Sequence, residues 1–470
     1  MFFIRFGSPF SRRALRNRLR IRYTSISIIA FLLIQYLSIK LFYWDTVSPV
    51  LTTRLYQDSP LTLDLRTFSV CHPDDFKVDQ INKYYHEKLG PESEKTCFII
   101  EDLGGGNWWS YVSQSFAEIL VTLKRIGEKS NISYKPFPSD IDLNYRTNLH
   151  KYFSRACEID ENDVNSKRNT LFIILIWNVN RLKWKLMKEK WQEFLENSRV
   201  RVLSFIDDLH FESQIIRTSR QYLFENVTTE IFSTYAYLFH NYYHNISKRK
   251  LTWFPHSASS STQRSMNYSA ENRLFVSGAV SYNWYPCRTR AVTLCTQKPN
   301  LVNCLRHPGY AQNMKTDQRY HYGGQRYFTY MRQFIFGLAT CQSVHYAIAK
   351  LFEIPGNGLA LVTSDDMVPI LERLGLYQDQ DFLLANCSGY FNFEHSVENI
   401  LKISPDIISS IRENGQKKIF EQHLTYHRAQ LLHVRLLAQA LMMNASSDEE
   451  RHMLDRWGRD CSSTINKVQQ

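Results

Sequence analysis

Apolar positions along this chain change their spacing several times, and each change predicts an element. From Tyr23 to Ile39 there is no charged residue. With Lys40 able to snorkel, about 20 apolar-rich positions are available, roughly the span of one bilayer core. Beyond residue 95 the pattern becomes an alternation of short apolar runs and amphipathic stretches. Thr96–Ile100 reads as a buried strand, and Trp109, Val112, Phe116, Ile119, Leu120 and Leu123 recur at helical spacing, with Gly127 as the expected stop. Leu171–Trp177 (LFIILIW) is the strongest strand signal. It is followed by a helix over about 182–196 and a strand with a polar end over 201–210. Glu230–Phe239 and Leu251–Ser257 supply two more short strands. A Ser-rich polar run, SASSSTQRSMNYSAEN, then reads as a linker.

The alternation resumes with Leu274–Val276 and a helix from about Pro286. An apolar run over 330–338, a helix at 342–352, a strand at 359–363 and a helix at 367–374 follow. Ser404-Pro405 and Tyr426 open two closing helices. Repeated βα alternation predicts parallel sheets covered by helices. The expected organisation is a basic tail (1–22), a transmembrane anchor (23–43), a stem (44–95), a first α/β domain (96–256), a linker (257–272), a second α/β domain with terminal helices (273–445) and a tail (446–470).

Charge sharpens the anchor reading. The net charge is +12, but seven Arg and Lys40 lie within residues 1–44, which hold no Asp or Glu. The remaining chain carries 49 basic against 45 acidic residues. A basic body that binds nucleic acid is therefore not expected. All seven Arg precede the apolar run and Asp45 follows it, so the positive-inside rule places the N-terminus in the cytoplasm and the body across the membrane. A cleaved signal peptide fits less well, because the run is long and no A-x-A-like site follows. Six N-x-S/T sequons (Asn131, Asn226, Asn245, Asn267, Asn386, Asn444) all follow the anchor. So do all nine cysteines, with no C-x-x-C pair among them. An oxidising lumen suits disulfides, with Cys287, Cys295 and Cys304 close enough in sequence for local pairing. A Golgi or ER membrane protein, single-pass and type II, is the expectation.

Chemistry concentrates at predicted strand ends. Gly104, Gly105 and Gly106 lie between a strand and a helix, where backbone N–H groups can approach a ligand; a plain flexible turn explains them equally well. Asp207, Asp208 and His210 end a strand and could provide a general base, or simply cap it. Gly278 stands in a strand-to-turn segment ahead of Arg288 and Arg290, a pattern suited to a diphosphate. His307-Pro308-Gly309-Tyr310 is accounted for by turn chemistry. The richest segment is KLFEIPGNGLALVTSDD, Lys350–Asp366. Here Lys350 and Glu353 precede a Pro-Gly-Asn-Gly bend, and Asp365 and Asp366 sit where the next strand stops. Lys350 and Glu353 could be an ordinary helical pair, or could face phosphate and a ribose diol.

That segment resembles the donor site of group-1-like glycosyltransferases of the GT-B fold, in the branch that includes spore-coat maturation glycosyltransferases. VSGAVSYNWYPCR, ILERLGL and RENGQKKIFEQHLTYHRAQLL are similar to other parts of that branch, and DDLH, WFPH and HPGY to its short motifs. The likeness spans about 270–435. It implies an α/β fold of two Rossmann-like domains facing a cleft (GT-B), preceded by one N-terminal transmembrane helix. It further implies a metal-independent transferase without a bound cofactor, moving sugar from a nucleotide-sugar to a glycan, protein or lipid acceptor. Gly278, Arg288, Lys350, Glu353 and Asp365 would contact the donor. Gly105 and Asp207 would lie on the acceptor side, with His210 or Asp208 as base if the reaction inverts. Glu353 matches the second Glu of the family's E-x7-E motif, but Tyr346 replaces the first.

Two other readings fit parts of the sequence. A GT-A enzyme would use a D-x-D metal motif, spelled at Asp140–Asp142 and Asp379–Asp381, but neither follows a clear apolar strand. The other is a non-catalytic membrane-anchored carbohydrate-binding or scaffold protein with a degenerate GT-B fold.

Overall fold

A computed structural model describes residues 78–93, 95–102, 114–138, 148–159, 169–177, 188–207, 209, 214–235, 239–259, 265–281, 284–306, 325–340 and 346–457. The expected anchor lies outside the described residues. Among the described residues no helix is long and apolar enough to cross a membrane.

Two parallel sheets form, as the alternation predicts. The first has the order β2-β1-β3-β4-β5-β6. Its strands are β1 (Thr96–Asp102), β2 (Tyr134–Pro138), β3 (Leu171–Ile176), β4 (Arg199–Ile206), β5 (Glu230–Ser233) and β6 (Leu251–Trp253). The second has the order β11-β10-β9-β7-β8. It is built from β7 (Glu271–Gly278), β8 (Val302–Arg306), β9 (Phe334–Leu338), β10 (Ala360–Thr363) and β11 (Phe382–Leu384). Strand β3 is buried along its whole length, which is why it reads as a continuous apolar run and not as an alternation. In each sheet the strand order reverses between the first and third strands, so each has a topological switch point where a crevice opens beyond the carboxyl ends. In the second sheet that point lies between β7 and β9, which pair in parallel.

Several expected boundaries move. Helix α1 (Val78–Leu89) falls in the expected stem, yet Ile81, Tyr85 and Leu89 are buried in the core of the first sheet's domain. Helix α2 (Gln114–Lys129) runs past Gly127. A Cβ there would meet the Tyr134 ring at 2.5 Å and the Ile132 carbonyl at 2.6 Å. The glycine is therefore a close-approach position and not a stop. Other helices covering the first sheet are α3 (Leu149–Ala156), α4 (Lys188–Asn197), α5 (Gln214–Tyr222) and the single turn α6 (Phe239–Tyr242). The described ends of the expected linker are ordered. The Ala258 N–H donates to the His423 carbonyl and the Thr425 N–H to that of Ala258, both at 2.9 Å, and Glu271 and Asn272 already belong to β7.

The second sheet carries α7 (Pro286–Gln297), α8 (Gln325–Met331), α9 (Lys350–Gly356), α10 (Val368–Arg373), α11 (Tyr390–Ile400) and α12 (Pro405–Gln422). The expected helix at 342–352 is displaced. Within it, 346–349 are not helical, and Pro355 and Gly356 form the last turn of α9 instead of a bend after it.

The largest correction concerns the C-terminus. The sequence pattern assigns helix α13 (Thr425–Met443) to the second domain. It returns to the first, where Leu432, Leu436 and Leu437 join the same core as Phe116 and Leu123 of α2. A further helix, α14 (Asp448–Arg456), falls in the expected tail and buries Leu454 in that core. The Arg435 guanidinium donates from Nε and Nη2 to the two Glu230 oxygens, each at 2.8 Å, and both side chains are fully buried. Gln439 and Thr252 also donate to that carboxylate, so the charge taken into the core is fully coordinated. The backbone thus crosses between the two sheets twice, at 254–259 and at 423–425. Arg428 ties the crossings together by donating to the Pro255 and His256 carbonyls at 3.0 and 3.2 Å.

Disulfides join Cys97 to Cys157 and Cys287 to Cys387, while Cys295 and Cys304 are free thiols. Among the described residues the pairing is long-range, and Cys287 does not pair locally with Cys295 or Cys304 as the cysteine spacing suggests.

Candidate functional site

The switch point of the second sheet gathers four of the expected donor-side residues. Strand β7 ends at Gly278, whose φ is +107°. A Cβ at this position would lie 3.0 Å from Arg288 Nη1 and 3.2 Å from Lys350 Cε. The backbone therefore approaches both cations as closely as only a glycine allows. Pro286 at the first helical position starts α7 and places Arg288 in its first turn. Arg288 is buried, and its guanidinium bridges the crevice. Nη1 donates to the Ala279 carbonyl at 2.8 Å beyond β7, and Nη2 to the Thr340 carbonyl at 3.3 Å beyond β9. The Tyr285 ring lies 4.2 Å from the guanidinium carbon.

Lys350 is also buried, with its ammonium 5.8 Å from the Tyr327 ring centroid. Burial lowers its pKa to about 8; Glu353 opposes that shift and Arg288 adds to it. The same burial raises the Glu353 pKa, opposed by Lys350. Glu353 Oε2, Arg288 Nε, Thr340 Oγ1 and Ser364 Oγ are buried atoms with no hydrogen-bond partner among the described residues. They sit on α9, α7 and the ends of β9 and β10. Buried polar atoms call for partners, and these four stand on elements that border the β7/β9 switch point.

Asp365 is exposed, and its carboxylate accepts from the Asp366 N–H at 3.1 Å, a local turn contact. Asp379 and Asp381, one of the two D-x-D spellings, shape a turn. Asp379 has φ +60°, and Asp381 accepts from the Tyr377 N–H at 2.8 Å.

On the first sheet, Asp207 directly follows β4. The Thr234 hydroxyl donates to Asp207 Oδ1 at 2.6 Å, and His256 Nε2 lies 3.7 Å from the same oxygen. Both Thr234 and His256 are buried. No local pattern in the sequence links either to Asp207; their position just beyond β5 and β6, beside the end of β4, is the signal that points to them. Gly105, Asp208, His210 and His307–Tyr310 lie outside the described residues. The two sheets meet here through Tyr346, the residue standing where the E-x7-E pattern has its first Glu. Its ring stacks on Tyr235 with centroids 4.1 Å apart, and lies 6.2 Å from His256. Tyr346 leads directly into α9 and Lys350.

No family model matches the chain, and no curated protein matches it either. Among solved structures, HepE of Anabaena in complex with UDP and glucose aligns at TM-score 0.46 and 9% identity, over 71% of this chain and 97% of its own. A glycosyltransferase from Rickettsia africae aligns at TM-score 0.44 and 8% identity, over 75% and 100%. The α,α-trehalose-6-phosphate synthase of Burkholderia multivorans aligns at TM-score 0.44 and 9% identity, over 74% and 100%. Similarity at this level leaves function to the chain's own geometry.

Proposed function

We propose that this protein is a nucleotide-sugar-dependent glycosyltransferase of GT-B type. One observation carries the reading: two buried cations, Arg288 and Lys350, converge with Gly278 on the β7/β9 switch point. Departure of a nucleoside diphosphate from a sugar builds negative charge on the β-phosphate. Cations already fixed at that place stabilise the charge without reorganising. Glu353, with one enclosed oxygen unbonded, suits a ribose diol that would supply two hydroxyl donors and hold the donor in register. Arg288 and Lys350 supply the positive charge the leaving group needs, and the reading calls for no bound cofactor. The acceptor, a glycan or glycoprotein, enters from the Asp207 side. The expected anchor at 23–43 would hold the body in a Golgi or ER lumen, where the disulfides Cys97–Cys157 and Cys287–Cys387 suit an oxidising environment.

Calorimetry of the detergent-solubilised full chain with uridine and guanosine diphosphates tests the site. Saturable binding that Lys350→Met weakens at least tenfold is expected; absence of binding to either refutes the donor site. Release of free nucleotide from a panel of sugar nucleotides then tests turnover. Protease protection in microsomes tests the topology, with the body expected to be shielded.

A further inference from the structure

The transferase chemistry uses none of the six N-x-S/T sequons, and all six lie within the described residues. An N-linked sugar replaces one hydrogen on Asn Nδ2, so the folded chain holds it only where that nitrogen opens to solvent. Three of the nitrogens lie against a backbone carbonyl instead. Asn226 Nδ2 donates to the Tyr222 carbonyl at 3.1 Å, Asn267 Nδ2 to that of Arg332 at 3.0 Å and Asn444 Nδ2 to that of Ala440 at 3.1 Å. Asn267 and Asn444 are half-buried. Each also accepts through Oδ1, from the Ser269 N–H at 3.0 Å and from Arg199 Nη2 at 2.7 Å. In the Asn226 sequon Thr228 is buried, its hydroxyl 2.8 Å from that of Ser204. The other three sequons share a different pattern. Asn131, Asn245 and Asn386 are exposed, as are Ser133, Ser247 and Ser388, while Ile132, Ile246 and Cys387 between them are buried. The middle residue anchors each turn in the core and leaves the Asn and Ser at the surface. No hydrogen bond among the described residues involves Nδ2 of these three Asn. Asn131 has φ +56°. That backbone accounts for an Asn but not for Ser133, which makes no hydrogen bond among the described residues. Asn131 and Ser133 also border a cavity of about 480 Å³, which leaves room for a sugar. Asn386 Oδ1 accepts from the Ser388 N–H at 3.0 Å and its hydroxyl at 2.7 Å, so the carbonyl side of the amide is pinned and the nitrogen side is not.

We propose that Asn131, Asn245 and Asn386 carry N-linked glycans and that Asn226, Asn267 and Asn444 do not; this rests on the lumenal placement of the body in the reading above. The donor is an oligosaccharide carried on a lipid diphosphate, transferred by the lumen's own enzyme. The amide nitrogen bonds to the anomeric carbon of the sugar. The bond from that carbon to the phosphate oxygen breaks, its electron pair leaves on the lipid diphosphate, and one amide proton is released. Asn131 and Asn245 precede β2 and β6, which puts both at the amino edge of the first sheet, away from the carboxyl ends of its strands. Asn386 follows β11, the outermost strand of the second sheet, with β10 between it and β9. The sugars therefore stand on elements that do not border the β7/β9 crevice.

The test expresses the tagged full chain in cultured human cells and treats it with peptide-N-glycosidase F. Three steps of increased mobility are expected. Asn131→Gln, Asn245→Gln and Asn386→Gln should each lose one step, whereas Asn226→Gln, Asn267→Gln and Asn444→Gln should keep all three. Gln is strained at the positive φ of residue 131, so Ser133→Ala, which keeps Asn131, is the companion variant and should lose the same step. Mass spectrometry of the released peptides should find Asp at 131, 245 and 386 and Asn at 226, 267 and 444. Sugar on any of the last three overturns the proposal. So does a bare Asn131, Asn245 or Asn386 in a chain whose body is shielded from protease in microsomes, and the lumenal placement then stands. A body open to protease and free of sugar removes the lumenal placement and the proposal with it, while diphosphate binding, measured separately, still decides the donor site.

Discussion

Lys350 carries the site's sharpest dependence on conditions. In the unfolded chain its ammonium has the ordinary value of 10.5, and in the folded chain burial lowers this to about 8. The unfolded state therefore holds more protons between those values. Lys350's contribution to stability rises as pH increases through that window. Diphosphate binding has the opposite sign, because only the protonated ammonium attracts the anion. Affinity for uridine diphosphate should fall as pH rises past about 8, and Lys350→Met should flatten that profile; an unchanged slope in the variant would assign the titration elsewhere. Gly278→Ala adds a Cβ at positive φ, 3.0 Å from the Arg288 guanidinium. It should weaken diphosphate binding by tenfold or more, because one cation must move and the backbone is strained, with the loss read by calorimetry.

At the scale of elements, α13 and its partners decide how the first domain holds together. His433 on α13 is buried, accepts from the Tyr134 hydroxyl at 2.6 Å and donates to Asn82 Oδ1 at 2.7 Å. Burial lowers its pKa from 6.5 to about 4. Its contribution is complete above the unfolded value and lost as pH falls from about 6.5 to about 4. Wild-type stability in urea should drop over that range, and His433→Asn should lose much of the drop. Gly127→Ala places a methyl against Tyr134 and the Ile132 carbonyl. Overpacking of this kind costs about 1–3 kcal/mol, measurable in the same titration. These elements also show how far sequence pattern reached. The apolar runs 96–100, 171–177 and 274–276 are legible in the sequence because the buried parts of parallel strands are short apolar runs. The pattern places α9 too early in the chain because Pro355 and Gly356 look like breakers, whereas in the structure they close its final turn.

Across the whole molecule, the return of α13 and α14 to the first sheet joins the two sheets by two crossings where the sequence suggested one linker. The buried Glu230–Arg435 pair anchors that return, and Arg435 also donates to the Asp455 carbonyl at 2.8 Å. Arg435→Met should destabilise by about 3–5 kcal/mol, because it leaves the Glu230 charge in the core without its cation. Chemical denaturation monitored by Trp fluorescence would record it, and a loss below about 1 kcal/mol would show that Gln439 and Thr252 suffice.

The linear chain by itself determined the alternation of strands and helices, hence two parallel α/β sheets. It also placed Gly278, Arg288, Lys350 and Glu353 at strand or helix ends. Those features follow from local periodicity and from turn chemistry, which neighbouring residues dictate. Only the tertiary structure decided that these four converge on the β7/β9 crevice and that Asp207 is held by Thr234 and His256. It likewise decided that Tyr346 stacks across the sheets, that Cys287 pairs with Cys387, and that the last helices cross back. Each of these depends on strand order and on contacts between residues tens to hundreds of positions apart, for which a sequence carries no local periodic signal.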